Sequence, residues 1–454
     1  MSRFLVAVGV MLTLGIATAG AAPTIPSNAC HAGAYALADG TQFILTPSDE
    51  SGLRYRLRDG RTGYLKAISA TQFQSAPGWS QDEPPPMRVT VAGCRAKSLL
   101  VQRGTRPHEK AKRIDHSVLP VHFASGDAQL YGELHLPASR KPHAVVVLQA
   151  GGSARSAVVY NYVQHLLPLS DIAVFVFDKR GTGRSTGRFT VEFGALADDV
   201  GAAVRQVRSM PKMADLPLGL MGESQGGWVV PLAATRTPVD FVIVSYGLAV
   251  SLREENRMEV MQGLQMRGYG ADVQARAQEV VAATDRIMVS RFEDGLDDLR
   301  RLREAYGHEQ WYRDLSLDSL TGDYTKELAN TSDADMPAVK AMFSFDYDLD
   351  YDPLPTLRQV NVPLMWVLAG NDTEAPSEST QQIIRDLQSQ GAPIDLAVFP
   401  HADHGMIEVE STPQGPKELD QHSPGYFELL ADWIEYRKLA SRRFGCAELT
   451  PRKQ

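Results

Sequence analysis

The stretch "LMGESQGGWVV" (residues 220–230) sets Ser224 among Gly222, Gly226 and Gly227, at the junction of two apolar runs. Glycine permits backbone conformations and close chain approaches that other residues resist. A plain tight turn would use glycines in this way. So would a strained strand-to-helix turn that holds a serine hydroxyl out for reaction, with small residues two places to either side so that strand and helix can approach each other. The preceding "LPLGLM" (216–221) has the composition of a strand, and the following "QGGWVVPLAAT" (225–235) that of a buried helix, a context that favours an exposed nucleophile.

Outward from this point the same alternation recurs. Apolar runs "AVVVLQ" (144–149), "IAVFVF" (172–177), "FVIVSY" (241–246), "PLMWVLA" (363–369) and "IDLAVF" (394–399) are separated by helical patterns in most of the intervals. Leu196, Val200, Ala203, Val204 and Val207 recur at helical spacing, as do Tyr426, Leu429, Leu430, Trp433 and Ile434. Short runs rich in Val, Ile and Phe between helices predict a mainly parallel sheet buried on both faces. About a hundred residues between "FVIVSYG" and "PLMWVLAG" break the rhythm and read as helix almost throughout. They predict a helical lid over residues 250–345, with Tyr269, Trp311 and Tyr312 as candidate pocket residues.

A serine nucleophile needs a base, and the base needs an orienting carboxylate, so both should appear at later strand ends. "PLMWVLAG" runs into "NDTEAP" (371–376), which offers Asp372, with Glu374 further from the strand end. "IDLAVF" runs into "PHADHGM" (400–406), which offers His401 and His404. His404 is preferred because His401 directly follows the strand, whereas the loop can carry His404, followed by Gly405, back over the serine. The Gln225 N–H and one N–H from "QAGGSARS" (149–156), assigned to Gly152, are the candidate donors to an oxyanion. The turn "FDKRGTGRSTG" (177–187) invites a dinucleotide-site reading, but its third glycine, Gly187, stands one residue too far on for that fingerprint. It reads as a structural turn bordering the site. His401 and His404 lack a matching third ligand cluster, so neither a metal nor any other cofactor is expected.

The chain's 454 residues exceed what one core usually supports, and the segment before residue 115 has its own character. "LRYRLRDG" (53–60) alternates apolar and basic residues at period two, and Asp39-Gly40 and Asp59-Gly60 are hairpin dipeptides, so residues 22–114 predict a small all-β module. Its expected role is packing or capping, with substrate gating or partner binding as the alternative. Residues 115–446 form the expected catalytic domain and 447–454 a tail. Arg3, an apolar stretch from Phe4 to Ile16 and the small residues Ala19-Gly20-Ala21 have the form of a secretory signal over residues 1–21, which predicts a periplasmic or secreted protein without a stable membrane anchor. Export would let Cys30 pair with Cys94, leaving Cys446 as an inert thiol. A net charge of −8 argues against nucleic acid as a partner, a role that calls for clustered Lys and Arg.

Taken with "GESQGG", "LAGNDTEAP" and "FPHADHG", the turn "FDKRGTGRS" makes the chain resemble the α/β-hydrolase superfamily across roughly residues 115–445. The specific likeness is to secreted bacterial esterases related to the prolyl-oligopeptidase and serine-aminopeptidase-like hydrolases. The resemblance implies Ser224 as nucleophile, His404 as base and Asp372 as orienting acid, the same assignment as the strand ends give. "QAGGS" stands where the family usually begins its oxyanion loop with histidine and glycine. The expected activity is hydrolysis of small carboxylic esters through an acyl-enzyme. The alternatives are an exopeptidase or amidase of the same fold, and a non-catalytic binding protein that keeps the fold.

Overall fold

The structure is a computed structural model that describes residues 26–453 apart from 49–50, 76–86, 139, 316–322, 344–346 and 413–414. The signal expected over residues 1–21 lies outside the described residues. No helix among those described is long and apolar enough to cross a membrane.

The period-two pattern of the first module closes on itself. Strands β1 to β8 (Gly33–Ala36, Gln42–Pro47, Leu53–Leu57, Thr62–Ala67, Gln72–Ser75, Met87–Thr90, Ser98–Arg103 and Glu109–Arg113) pair antiparallel in sequence order, and β1 pairs with β8 to complete a barrel. Leu53, Tyr55 and Leu57 point into its core with Phe43, Leu45, Leu65 and Val101, while Arg54 and Arg56 lie on the other face. Cys30 and Cys94 are joined in a disulfide, and Cys446 is a free, exposed cysteine.

The second unit is a nine-stranded sheet. Its strands are β9 (Ser117–Ser125), β10 (Ala128–Leu136), β11 (Ala144–Gln149), β12 (Ile172–Phe177), β13 (Leu218–Glu223), β14 (Phe241–Ser245), β15 (Leu364–Ala369), β16 (Ile394–Phe399) and β20 (Glu448–Thr450), in the order β20-β16-β15-β14-β13-β11-β12-β10-β9. Strands β11 to β16 run parallel to one another, with antiparallel β10 beside β12 and β20 beside β16, and all six are buried along their whole length because helices cover both faces. One face packs on Phe193–Ser209, Gly226–Arg236 and Glu378–Ser389, and the other on Tyr426–Tyr436. The fold is thus the α/β-hydrolase fold with an N-terminal all-β module. A hairpin formed by β17 (Ala402–Asp403), β18 (Ile407–Thr412) and β19 (Gly415–His422) follows β16 and reaches the barrel, where the His422 N–H donates to the Gly60 carbonyl at 2.8 Å.

Two features differ from expectation. The 447–454 segment is no loose tail: β20 pairs antiparallel with β16, and the Arg452 N–H donates to buried Asp395 at 2.8 Å. A three-residue strand carrying Leu449 alone as an apolar residue has no periodic signature. The helices of residues 250–345, from Leu252–Met266 to Met336–Met342, form a subdomain with its own core. Trp311 and Tyr312, 2% and 0% exposed, are central to that core, and Tyr269 packs against it. Their polar atoms also bond within the lid, Trp311 to Glu309, Tyr312 to the Ala329 carbonyl and Tyr269 to Asp314. The assignment of these three to the substrate pocket is therefore corrected: a helical insertion this long must bury aromatics of its own to be stable.

Candidate active site

The sharp turn after β13 forces Ser224 into the left-handed region at φ 50°. The glycines make that turn possible by close approach. A Cβ on Gly222 would lie 2.3 Å from the Gly226 carbonyl oxygen, and one on Gly227 would lie 2.9 Å from the Gly247 Cα. The Ser224 N–H donates to the Ser245 carbonyl at 3.0 Å, which fixes the turn against the end of β14.

The loops after β15 and β16 bring the other two predicted residues to the serine. His404 Nε2 lies 3.0 Å from Ser224 Oγ, and its Nδ1 lies 3.0 and 3.2 Å from the two carboxylate oxygens of Asp372. Asp372 is 2% exposed, and its Oδ1 also accepts the N–H groups of Glu374 at 3.1 Å and Ala375 at 2.7 Å. Glu374 stands on the opposite side of the imidazole, its carboxylate 3.7 Å from Nε2. It is therefore placed beside the serine rather than behind the histidine. His401 is exposed in the preceding turn.

Neighbouring groups hold this arrangement and set its charge. Asp403 ties the two loops together: it accepts the N–H groups of Thr373 and His404, both at 2.8 Å. Sequence reasoning passed over it, although an aspartate immediately before the second histidine of "HADH" has the form of a capping residue. The Tyr246 ring packs edge-on to His404 at 5.1 Å, from a residue held at φ 44°. Burial alone would lower the His404 pKa, but the negative charges of Asp372 and Glu374, with Asp403 behind them, outweigh it and hold the imidazole above its ordinary value. If the neutral imidazole is the working form, the acid limb of a kcat/KM profile lies above pH 6.5. Replacing Glu374 by glutamine removes one of the charges that favour the imidazolium. We expect Glu374→Gln to move that limb to lower pH by roughly half a unit to one unit, with the plateau retained. A pH profile of kcat/KM checks this, and an unmoved limb would show that Glu374 does not act on His404.

The two candidate oxyanion donors are the N–H of Gln225, next to the serine in the chain, and that of Gly152, next to the glycine that approaches the serine. Neither the Gln225 nor the Gly152 N–H has a backbone or side-chain acceptor among the described residues. Gln225 precedes the helix Gly226–Arg236, whose N-terminal N–H groups favour negative charge. Gly151 passes over the serine, where an added Cβ would sit 3.2 Å from Ser224 Cβ, and Gly152 borders open space. The turn at residues 178–185 is built around buried Asp178, which accepts from Ser156 Oγ at 2.7 Å and from the N–H groups of Val158 and Arg184. It borders the site through Lys179, whose Nζ donates to the Gly151 carbonyl. Cys30, His31 and Cys94 cluster closely enough to suggest metal ligation, but the two sulfurs are bonded to each other and offer no thiolate.

Residues 140–267 match the family model of the serine aminopeptidases (S33), and residues 313–420 match that of the prolyl oligopeptidase family. No curated protein sequence matches the chain. Among solved structures, a Pyrococcus furiosus esterase is similar at 14% identity, covering 64% of this chain and 84% of its own with a TM-score of 0.40. A Pyrococcus horikoshii acylaminoacyl peptidase aligns at 15% identity over 86% of this chain and 55% of its own, with a TM-score of 0.42. A dienelactone hydrolase from Anabaena variabilis aligns at 15% identity over 71% and 98%, with a TM-score of 0.38. The family matches and the fold place the chain among the α/β-hydrolase serine hydrolases.

Proposed function

We propose that this chain is a carboxylesterase with Ser224 as nucleophile, His404 as general base and Asp372 as orienting acid. The observation that carries the reading is the continuous hydrogen-bonded path from Asp372 through His404 to Ser224. In this mechanism His404 Nε2 takes the proton from Ser224 Oγ as it adds to the ester carbonyl, and the Gln225 and Gly152 N–H groups receive the oxyanion. Collapse breaks the bond to the alkoxy group, which leaves as the alcohol with the proton from His404. Water, deprotonated by the same nitrogen, then releases the acid from the serine. The same groups would serve an amide, and esters are put first because an alkoxide leaves more readily than an amine.

One observation favours an aminoacyl amide as a second substrate class. The Glu374 carboxylate is half exposed on the serine side of His404, where a substrate's free α-ammonium group would pair with it. A fluorophosphonate probe should label the wild type and fail to label Ser224→Ala. Failure of the folded wild type to label would favour a non-catalytic binding protein. Short acyl p-nitrophenyl esters beside aminoacyl p-nitroanilides then separate the two substrate classes, and faster turnover of the anilides would overturn the esterase reading. Selection among acyl groups falls to two walls in this reading. One is the lid helix Asp323–Ala329, whose Lys326 acts on the Glu374 charge, and the other is the barrel, where the Ser48 carbonyl accepts from Arg155 of the loop after β11. A periplasmic or secreted location is part of the proposal, supported by the N-terminal sequence pattern and the disulfide.

A further inference from the structure

The mechanism above leaves the buried ammonium group of Lys179 without a task. Lys179 is 2% exposed and forms no ion pair among the described residues. Its Nζ donates to the Gly151 carbonyl oxygen at 2.6 Å, and the Phe189 ring centre lies 5.4 Å from Nζ. Burial without a counter-charge is costly for an ammonium group and pushes its pKa down to about 7. A lysine placed to satisfy one loop carbonyl at such a cost calls for a reason in what that carbonyl controls.

The Gly151 carbonyl belongs to the same planar unit as the Gly152 N–H. No peptide bond among the described residues is cis, so this C=O and N–H point in opposite directions, and holding one aims the other. Glycines at both positions leave the loop free to turn this peptide either way. Gly151 is pressed against Ser224, and the Gly152 N–H is left without an acceptor. A strong donor on the carbonyl also polarises the peptide and strengthens its N–H as a donor in turn.

We infer that Lys179 is a positioning residue for the oxyanion site: by holding the Gly151 carbonyl it aims the Gly152 N–H at the oxygen that becomes negative during acyl transfer. This rests on the esterase reading and on Gly152 as the second donor. It also gives the "FDKRGTGRS" turn a part in the chemistry, since Asp178 anchors the turn and its neighbour reaches the loop after β11.

The test uses Lys179→Met, which keeps the stem and removes the donor, and Lys179→Gln, which keeps an N–H without charge. With p-nitrophenyl acetate, Lys179→Met should lose about 100-fold in kcat at little-changed KM, and Lys179→Gln should lose less. A trifluoromethyl ketone labelled with 13C at its carbonyl forms a hemiketal on the serine, and NMR titration reads the pKa of that hydroxyl. We expect it to rise by about one unit or more in Lys179→Met, because the oxyanion has lost an aimed donor. A merely structural lysine would lower the melting temperature and leave the hemiketal pKa of the folded protein unchanged. Folded Lys179→Met with kcat within twofold of wild type and an unmoved hemiketal pKa would overturn the inference, and Lys179→Gln carries the same test if the methionine variant does not fold. Failure of the wild type to form the adduct on Ser224 would overturn the esterase reading as well, whereas adducts with the same hydroxyl pKa in every protein overturn the role of Lys179 alone.

Discussion

His404→Ala is expected to lower kcat toward p-nitrophenyl acetate by about 10⁶-fold, while His401→Ala keeps most of the activity. The two histidines are three residues apart but sit in different surroundings. His404 Nε2 is 3.0 Å from Ser224 Oγ and Nδ1 is anchored on Asp372, so its loss leaves the serine hydroxyl with no group to take its proton. His401 is exposed, and its tie to the hairpin is a main-chain one, its carbonyl accepting from the Val409 N–H at 2.8 Å. Alanine keeps that bond. Steady-state rates, with circular dichroism to confirm folding, decide between them, and a large loss in His401→Ala beside an active His404→Ala would reverse the assignment.

How the site reads from sequence follows from how local each signal is. The turn at Ser224 is legible because its requirements are packed into six residues, with glycines where strand and helix backbones meet. Asp372 and His404 are legible as positions because a parallel sheet delivers its loops at the same end of each strand. The lid aromatics are misread for the complementary reason. Helical periodicity shows that Trp311 and Tyr312 face something apolar without showing whether that is the substrate path or the lid's own interior. Lys179 goes unread because its partner, Gly151, is distant in sequence and is reached through a main-chain atom, which carries no residue signature, and the local cap of Asp403 on His404 gives no sign of its reach to Thr373. The strand Glu448–Thr450 is invisible for want of length.

Asp372→Asn is expected to keep the fold and lower kcat by about 10⁴-fold with KM little changed. The carboxylate accepts the Nδ1 proton of His404, which leaves the Nε2 lone pair facing Ser224 Oγ. In the asparagine variant the side-chain oxygen stays with the N–H groups of Glu374 and Ala375, the two donors that Oδ1 already serves. The amide nitrogen is then turned toward Nδ1 and, being a donor, selects the tautomer that carries its proton on Nε2. A histidine in that form presents a proton to the serine instead of a lone pair. The imidazolium that forms during acylation also loses the charge that stabilises it. Glu374→Gln serves as the control within the same loop: its carboxylate is 3.7 Å from Nε2 and makes no contact with Nδ1, so the tautomer is unchanged and kcat on the pH plateau should stay within a few-fold of wild type. Kinetics of the two variants, each measured across pH, test the assignment directly. If Asp372→Asn keeps its rate while Glu374→Gln loses four orders of magnitude, the orienting acid is Glu374, and His404 must turn its ring over in the working enzyme.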